Sequence, residues 1–146
     1  MYETATPWAA YVASEYGAVV QPTDGCSLRA TATESMDLAQ AHKVFSTIPF
    51  IETCRYWPEM ARVTKPAGYV VFDIVTEDCL SAETLRIWAN STVPNGSSYP
   101  AIMPRRIAVG YFGSCGFTLA GTFLVPMGQG KTEVFVFKKQ PSATAH

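Results

Sequence analysis

The sequence predicts an α/β fold, mainly because one segment reads as a helix that leads through a turn into a buried strand. Glu59 to Val63 has the pattern of a helix end, and Lys65 to Gly68 has the residues of a helix stop and turn. Tyr69 to Phe72 follows as an apolar strand with Asp73 at its carboxyl end. Ligands of open α/β sheets lie beyond the carboxyl ends of such strands, so Asp73 marks the edge at which a site is expected.

The first third of the chain predicts one helix and two strands. Trp8 to Tyr16 has apolar residues at helical spacing, and Ala18 to Gln21 then reads as a short strand. Pro22 to Gly25 ends that strand with strong turn residues. Met36 to Ala41 is predicted as a second short strand, and His42 follows its carboxyl end directly.

Three further helices are predicted in the middle of the chain. Ile51 to Val63 has a helical pattern, which Pro58 is expected to kink or divide. Ser81 is placed to cap a helix that runs to about Ala89. Pro104 fits the first turn of a helix that runs to Cys115 and is ended by a glycine.

The chain closes with a predicted antiparallel hairpin. Phe117 to Val125 and Glu133 to Lys138 read as strands, and the glycine-rich segment Met127 to Lys131 separates them. The letters GQGKT within this turn look like the end of a phosphate-binding loop, but Val125 stands where that motif needs a glycine. The hairpin interpretation is therefore favoured, and Lys131 reads as a solvated turn charge.

Length and composition predict a single domain over residues 1–146 and exclude several classes of protein. Eleven basic and twelve acidic side chains give a net charge of -1, which provides no basic face for nucleic acid. The four cysteines have no paired spacing, so neither a metal site nor a disulfide framework is predicted. No apolar stretch approaches 18 residues and no signal peptide is recognisable, so a cytoplasmic protein without a membrane span is expected.

Four polar side chains at or just after predicted strand ends are the candidate site residues. His42 is either a base or substrate ligand, or a hydrogen-bonded structural histidine. Asp24, Asp73 and Glu77 form either a constellation of carboxylates at one sheet edge, or a set of turn-forming and helix-capping acids. A hydrolase mechanism built on these residues is disfavoured, because the chain contains no nucleophile motif.

Several segments, taken in order, resemble the class I S-adenosylmethionine-dependent methyltransferases. The run EMARVTKPAGYVVFD resembles the family's helix ending in Glu-Met-x-Arg-Val, followed by a Lys/Arg-Pro-Gly-Gly turn and an apolar strand, although Ala67 replaces the first of the two glycines. Thr23 to Gly25 is similar to the Ala-Asp-Gly after the family's third strand, and Ser35 to His42 is similar to its fourth strand. The phrases GFTLAGTFLVP and TEVFVFKK resemble its closing hairpin, so the similarity covers nearly the whole chain.

The resemblance implies a Rossmann-like open sheet, mostly parallel, with a C-terminal antiparallel hairpin. The family's first strand and glycine-rich cofactor loop have no counterpart, so the methyltransferase-like domain is expected to be incomplete at its N-terminus. By resemblance Glu3 would bind the cofactor ribose, and Asp24 with Gly25 would flank the adenine. His42 would lie near the transferred methyl group, and Asp73 and Glu77 are the candidate substrate ligands.

Two functions follow from this resemblance. The first is an S-adenosylmethionine-dependent methyltransferase, or a truncated form of one, acting on a small-molecule acceptor. The second is a non-catalytic methyltransferase-like domain that serves as a binding or oligomerisation module. A sheet without its first strand has two unpaired edges, so either the remaining strands close up or two chains exchange elements to form a homodimer.

Overall fold

The computed structural model describes residues 6–22, 24–91 and 100–141. Within these ranges the chain forms helices, strands and one 3-10 turn at Glu77–Cys79. In chain order the elements are α1 (Thr6–Tyr16), β1 (Met36–Ala41), α2 (Phe50–Val63), β2 (Thr64–Ile74), α3 (Ala82–Asn90), α4 (Arg105–Ser114), β3 (Phe117–Met127) and β4 (Gly130–Lys139).

The described strands form one sheet in the order β1-β2-β4-β3. β1 runs parallel to β2, and α2 connects the two strands. β4 lies antiparallel to both β2 and β3. Because β1 and β2 are parallel, their carboxyl ends meet at the same edge of the sheet.

Most of the predicted elements are confirmed. β1 has the predicted bounds, and the closing hairpin of β3 and β4 has the predicted antiparallel pairing. Ser81 caps α3, with its Oγ accepting a hydrogen bond from the Thr84 amide at 3.0 Å. The α/β class is therefore confirmed, and one of the three strand pairings in the described sheet is parallel.

The strand predicted at Ala18 to Gln21 is wrong. These residues have no regular secondary structure, and the side chains of Val19 and Val20 are 83% and 61% exposed. A β-branched pair favours an extended backbone, but a strand also needs a neighbour to pair with. No strand in the described part of the chain pairs with this segment.

Pro58 does not divide α2, which continues from Phe50 to Val63. The proline is on the exposed face of the helix, where water can satisfy the carbonyl that loses its helical donor. The opposite face of α2 is buried against the sheet, and its buried residues are Thr53, Trp57, Met60, Ala61 and Val63.

The turn predicted at Lys65 to Gly68 is a bulge inside β2. Met36 pairs with Thr64 and Leu38 pairs with Tyr69, so two positions of β1 span five positions of β2. A Cβ atom on Gly68 would lie 2.9 Å from the Lys65 carbonyl oxygen and 3.0 Å from that of Asp37. Glycine is therefore required here because the backbones of the two strands approach each other closely.

Aromatic side chains fill the core between the sheet and its two covering helices. Phe72 of β2 stacks on Trp57 of α2 with ring centroids 5.9 Å apart, and Phe112 of α4 stacks on Phe137 of β4 at 4.7 Å. Side chains alternate between the faces of a strand, so the opposite face of the sheet carries Tyr69 and Asp73. None of the helices in the described ranges is long and apolar enough to cross a membrane.

Candidate functional site

The candidate site lies where β1 and β2 end side by side. The register pairs Ala41 with Phe72, so the next residues, His42 and Asp73, are neighbours at the carboxyl edge of the parallel pair. The Asp73 side chain is fully buried, and its Oδ1 accepts a hydrogen bond of 2.6 Å from the Lys43 amide. His42 Nδ1 lies 3.6 Å from the same oxygen. The structure thus brings together two of the residues that were predicted separately.

Lys43 is a site residue that the sequence analysis missed. Its backbone is left-handed, with a φ of 57°, which is costly for a residue with a Cβ atom. Its ammonium group donates to the Pro126 carbonyl at 2.9 Å and to Thr132 Oγ1 at 3.1 Å, and lies 3.7 Å from Asp73 Oδ2. Lys43 therefore joins the ends of the parallel strands to the hairpin. Only its position directly after His42 could have indicated this role.

One oxygen of Asp73 has no hydrogen-bond donor. Oδ2 is buried, and no group in the described residues donates a hydrogen bond to it. Asp73 is also one of the residues that line a cavity of about 140 Å³, together with Gln40, His42 and Val134. The Lys43 ammonium, 3.7 Å from Oδ2, is beyond hydrogen-bond distance, but its charge offsets part of the cost of burying this oxygen.

The arrangement of His42 is that of an oriented imidazole. Its side chain is 56% exposed, and Nδ1 is the ring nitrogen that faces the buried carboxylate. The separation of 3.6 Å is longer than a hydrogen bond, and such contacts commonly shorten when a substrate binds. When Nδ1 carries the proton beside the carboxylate, Nε2 is left as an acceptor that can take a proton from a bound molecule.

Asp24 is engaged within its own turn. Its Oδ1 accepts hydrogen bonds from the amides of Cys26 at 3.0 Å and Ser27 at 2.7 Å. Its Oδ2 accepts a bond from Ser27 Oγ and forms an ion pair with Arg29. Arg29 first, and then the Ser27 and Cys26 bonds, hold the pKa of Asp24 well below its usual range. Gly25 completes the turn with a φ of 80°.

Glu77 is also engaged within the fold. Its Oε2 accepts a hydrogen bond of 2.9 Å from the Arg105 amide at the start of α4, and this bond lowers the pKa of Glu77. The Arg105 side chain extends to buried Glu133, with Nε 2.9 Å from Oε1. The helix-capping alternative thus accounts for the contacts of Glu77, and its substrate role stays a prediction. No ion pair or hydrogen bond of the described residues joins it to Asp73 or Asp24.

Glu59 and Arg62, which belong to the segment that resembles the family's Glu-Met-x-Arg-Val, bond a loop to α2. Glu59 Oε2 accepts a hydrogen bond from the Leu28 amide at 2.8 Å, and both Glu59 oxygens pair with Arg62 at 2.8 Å. Arg62 donates in turn to the carbonyls of Leu28 and Thr31. The loop that contains Asp24 is therefore held in place by two charged residues one helical turn apart. Glu3, the predicted ribose ligand, lies outside the described residues.

Solved structures with this fold include several methyltransferases. A SAM-dependent methyltransferase from Methanosarcina mazei superposes with a TM-score of 0.70 at 15% identity, over 96% of this chain and 79% of its own. Magnesium protoporphyrin IX methyltransferase from Synechocystis, with bound S-adenosylhomocysteine, superposes with a TM-score of 0.68 at 12% identity, over 94% and 59%. The mitomycin 7-O-methyltransferase MmcR superposes with a TM-score of 0.60 at 14% identity, over 94% and 40%.

The chain therefore has the fold of the class I S-adenosylmethionine-dependent methyltransferases. At these identities the similarity establishes the fold, and the chain spans about three fifths or less of two of the three structures compared. No protein-family model and no curated protein sequence matches the chain.

Proposed function

We propose that this protein is an S-adenosylmethionine-dependent methyltransferase domain that acts on a small acceptor with a proton to lose. The observation that supports this most is the pair of His42 and Asp73 at the carboxyl ends of two parallel strands. Ligands of this sheet type bind at that edge. Hydroxyl and amine acceptors match the site because they have a proton that His42 can take.

In this proposal three residues take part in deprotonating the acceptor, namely His42, Lys43 and Asp73. Asp73 orients the imidazole of His42, and the Lys43 amide and ammonium hold the carboxylate in place. His42 Nε2 then accepts the proton that the acceptor loses. S-adenosylmethionine, when bound, would supply the methyl group. Alignment of the reacting atoms supplies much of the rate in such a transfer.

The Asp24 carboxylate is already engaged within its own turn. The carboxylate of Asp24, which the resemblance assigns to the adenine side, is taken up by Cys26, Ser27 and Arg29. A ribose or adenine donor would have to displace these contacts.

Isothermal titration calorimetry with S-adenosylmethionine and S-adenosylhomocysteine tests the proposal directly. We expect saturable heat with a Kd below about 1 mM for both, because an enzyme must bind substrate and product forms of its cofactor. Adenosine, which lacks the amino-acid portion, is the control ligand. Absence of heat for both cofactor forms at millimolar concentration would contradict the proposal.

A second measurement addresses the acceptor side. Release of S-adenosylhomocysteine is followed with a panel of phenols and amines, and His42→Gln is expected to lower kcat by roughly 10² or more through loss of the base. Lys131→Gln is the matched control, because Lys131 is an exposed residue at the start of β4. Equal rates for the His42 and Lys131 variants would show that His42 is not the base.

A non-catalytic binding or oligomerisation module is the second candidate function. It is favoured by the engaged carboxylate of Asp24 and by the lack of a strand at Ala18 to Gln21. This function requires neither cofactor binding nor a role for His42. The same titration separates the two candidates, since the module predicts no heat with either form of the cofactor.

A further inference from the structure

α3 is a short helix on the surface of the fold, and none of its residues is buried. α2 and α4, in contrast, contribute residues such as Trp57 and Phe112 to the aromatic core. Isolated helices shorter than about 12 to 15 residues are only marginally stable in water, and α3 has nine residues. The helical structure of α3 therefore depends on its contacts with the rest of the protein.

The contacts of α3 with the rest of the fold centre on one side chain, Trp88. Thr84, Ile87 and Trp88 are its partly buried residues, and their spacing places them on one face of the helix. The Trp88 ring lies over Gly130 at the start of β4, so closely that a Cβ atom on Gly130 would be 2.9 Å from Trp88 Cζ2. No hydrogen bond or ion pair among the described residues joins α3 to a strand or to another helix. Apolar packing of Trp88 therefore holds α3 in place.

Gly130 is needed for this contact and not for the turn of the hairpin. Gly128 has a left-handed backbone with a φ of 55°, whereas the φ of Gly130 lies outside that region. The backbone of Gly130 would therefore accept a side chain, but the Trp88 ring occupies the space of its Cβ atom. The two glycines of the letters GQGKT thus have separate roles, because the first forms the turn and the second receives Trp88.

α3 lies at the same edge of the sheet as the candidate site. Glu133 of β4 pairs with Ile74, the last residue of β2, so Gly130 lies beyond the carboxyl end of β2. A cleft of about 170 Å³ lies between the beginning of α3 and the hairpin, and Cys79 and Lys131 are among its lining residues. Cys79 belongs to the 3-10 turn that precedes α3, and it is only 6% exposed. α3 therefore covers part of the edge at which ligands of open α/β sheets bind.

We propose that α3 is a lid on this edge of the sheet, which Trp88 holds closed on Gly130 and which opens while the rest of the fold stays intact. A surface element with few buried contacts opens at a lower free-energy cost than the core, which opens only with global unfolding. When Trp88 leaves Gly130, α3 loses the contact that stabilises its helix and unfolds locally. The open state gives molecules access to the cleft and to Cys79. This lid is independent of the proposed function, because it rests on the packing of α3 alone.

Hydrogen exchange measured by mass spectrometry compares the opening of α3 with that of α4. We expect the α3 amides of the wild-type chain to exchange at least about 100-fold faster than those of α4, after correction for intrinsic rates, because Phe112 anchors α4 in the core. Gly130→Ala and Trp88→Ala should accelerate exchange in α3 by a further factor of about five or more and leave α4 unchanged. Gly121→Ala is the matched control, since Gly121 lies in β3 of the same hairpin and a Cβ atom there would have no neighbour within 4 Å.

Alkylation of Cys79 with iodoacetamide under native conditions tests access to the cleft. All four cysteines are free thiols, and peptide mass spectrometry distinguishes Cys79 from the other three. The labelling rate of Cys79 should rise at least about fivefold in Gly130→Ala, because the lid is open for a larger fraction of the time. Gly121→Ala should leave this rate as it is in the wild-type chain.

Three results would overturn the proposal. The first is equal exchange of the α3 and α4 amides, which would make α3 part of the cooperative core. The second is α3 exchange or Cys79 labelling that neither Gly130→Ala nor Trp88→Ala changes, which would show that Trp88 does not hold the lid closed. The third is an equal acceleration of α3 and α4 exchange in these variants, which would assign the effect to a loss of global stability.

Discussion

Lys43 and Ala67 both have a left-handed backbone, but only the first has contacts that compensate for it. Lys43, with a φ of 57°, donates its amide to Asp73 and its ammonium to the hairpin. Ala67, with a φ of 64°, is an exposed residue of the β2 bulge with a side chain too small to form such contacts. Strain that persists at a site is commonly linked to function, whereas strain in a surface bulge is only a loss of stability.

Ala67→Gly should therefore stabilise the protein. We expect its free energy of unfolding, from urea denaturation, to rise by about 1 kcal/mol, because glycine removes the steric cost of the left-handed backbone. Ala89→Gly, at an exposed position in α3, is the control and should lower the same quantity by roughly 0.5 to 1 kcal/mol. Equal destabilisation by both substitutions would refute the explanation.

At the scale of elements, one charged pair of α2 bonds to the loop before β1. Glu59 and Arg62 bond each other and also the backbone of Leu28, so hydrogen bonds attach the loop to the helix at this residue. The pairing with Arg62, followed by the bond from the Leu28 amide, lowers the pKa of Glu59 below its usual value. The stability that this carboxylate contributes must therefore depend on pH.

Glu59→Gln should destabilise the protein by about 1 kcal/mol at pH 7, through loss of a charged hydrogen bond. A carboxylate with a lowered folded pKa stabilises the fold fully above its unfolded pKa of about 4.3, and this contribution disappears as pH falls through the folded value. The difference in free energy of unfolding between the wild-type chain and Glu59→Gln should therefore become smaller below pH 4. Denaturation at several pH values measures this difference.

The control for this change is Glu52→Gln on the same helix. Glu52 pairs with Arg55 at the same spacing, but both side chains are more than half exposed, so the pair contributes little. Glu52→Gln should lower the free energy of unfolding by less than half as much as Glu59→Gln at pH 7. A pH-independent loss for Glu59→Gln would show that the charge is not the cause.

At the scale of the whole molecule, one aromatic core joins the sheet to α2 and α4. Phe112 lies at its centre, with ring contacts to Trp57, Phe72 and Phe137 that range from 4.7 to 5.9 Å. The residues of this core come from every strand of the described sheet. A core shared in this way is expected to unfold cooperatively, which agrees with the predicted single domain.

Phe112→Ala should lower the free energy of unfolding by about 3 to 5 kcal/mol, since it leaves a cavity among rings that cannot all move inward. Phe123→Ala is the matched control, because Phe123 is 55% exposed on β3, and it should cost less than about 1 kcal/mol. Fluorescence and far-UV circular dichroism should report a single transition for the wild-type chain. Two separated transitions would contradict the single domain.

Local patterns were sufficient for most elements of the fold. The apolar run of Met36–Ala41, the capping residue Ser81 and the glycine-rich turn of the hairpin each act through neighbours in sequence. The segment at Ala18 to Gln21 has an equally suitable local pattern, but it forms no strand. Strand formation depends on a partner, which the local pattern does not specify.

The sequence by itself determined the α/β class, the end of β2 at which Asp73 lies and the methyltransferase-like order of elements. Only the tertiary structure decided which polar residues lie together. The parallel register set His42 beside Asp73, while Asp24 and Glu77, equally plausible as candidates, bond to their own turn and to α4. The reason is physical. Secondary structure follows from interactions between near neighbours, whereas a site depends on hydrogen bonds between residues some thirty positions apart.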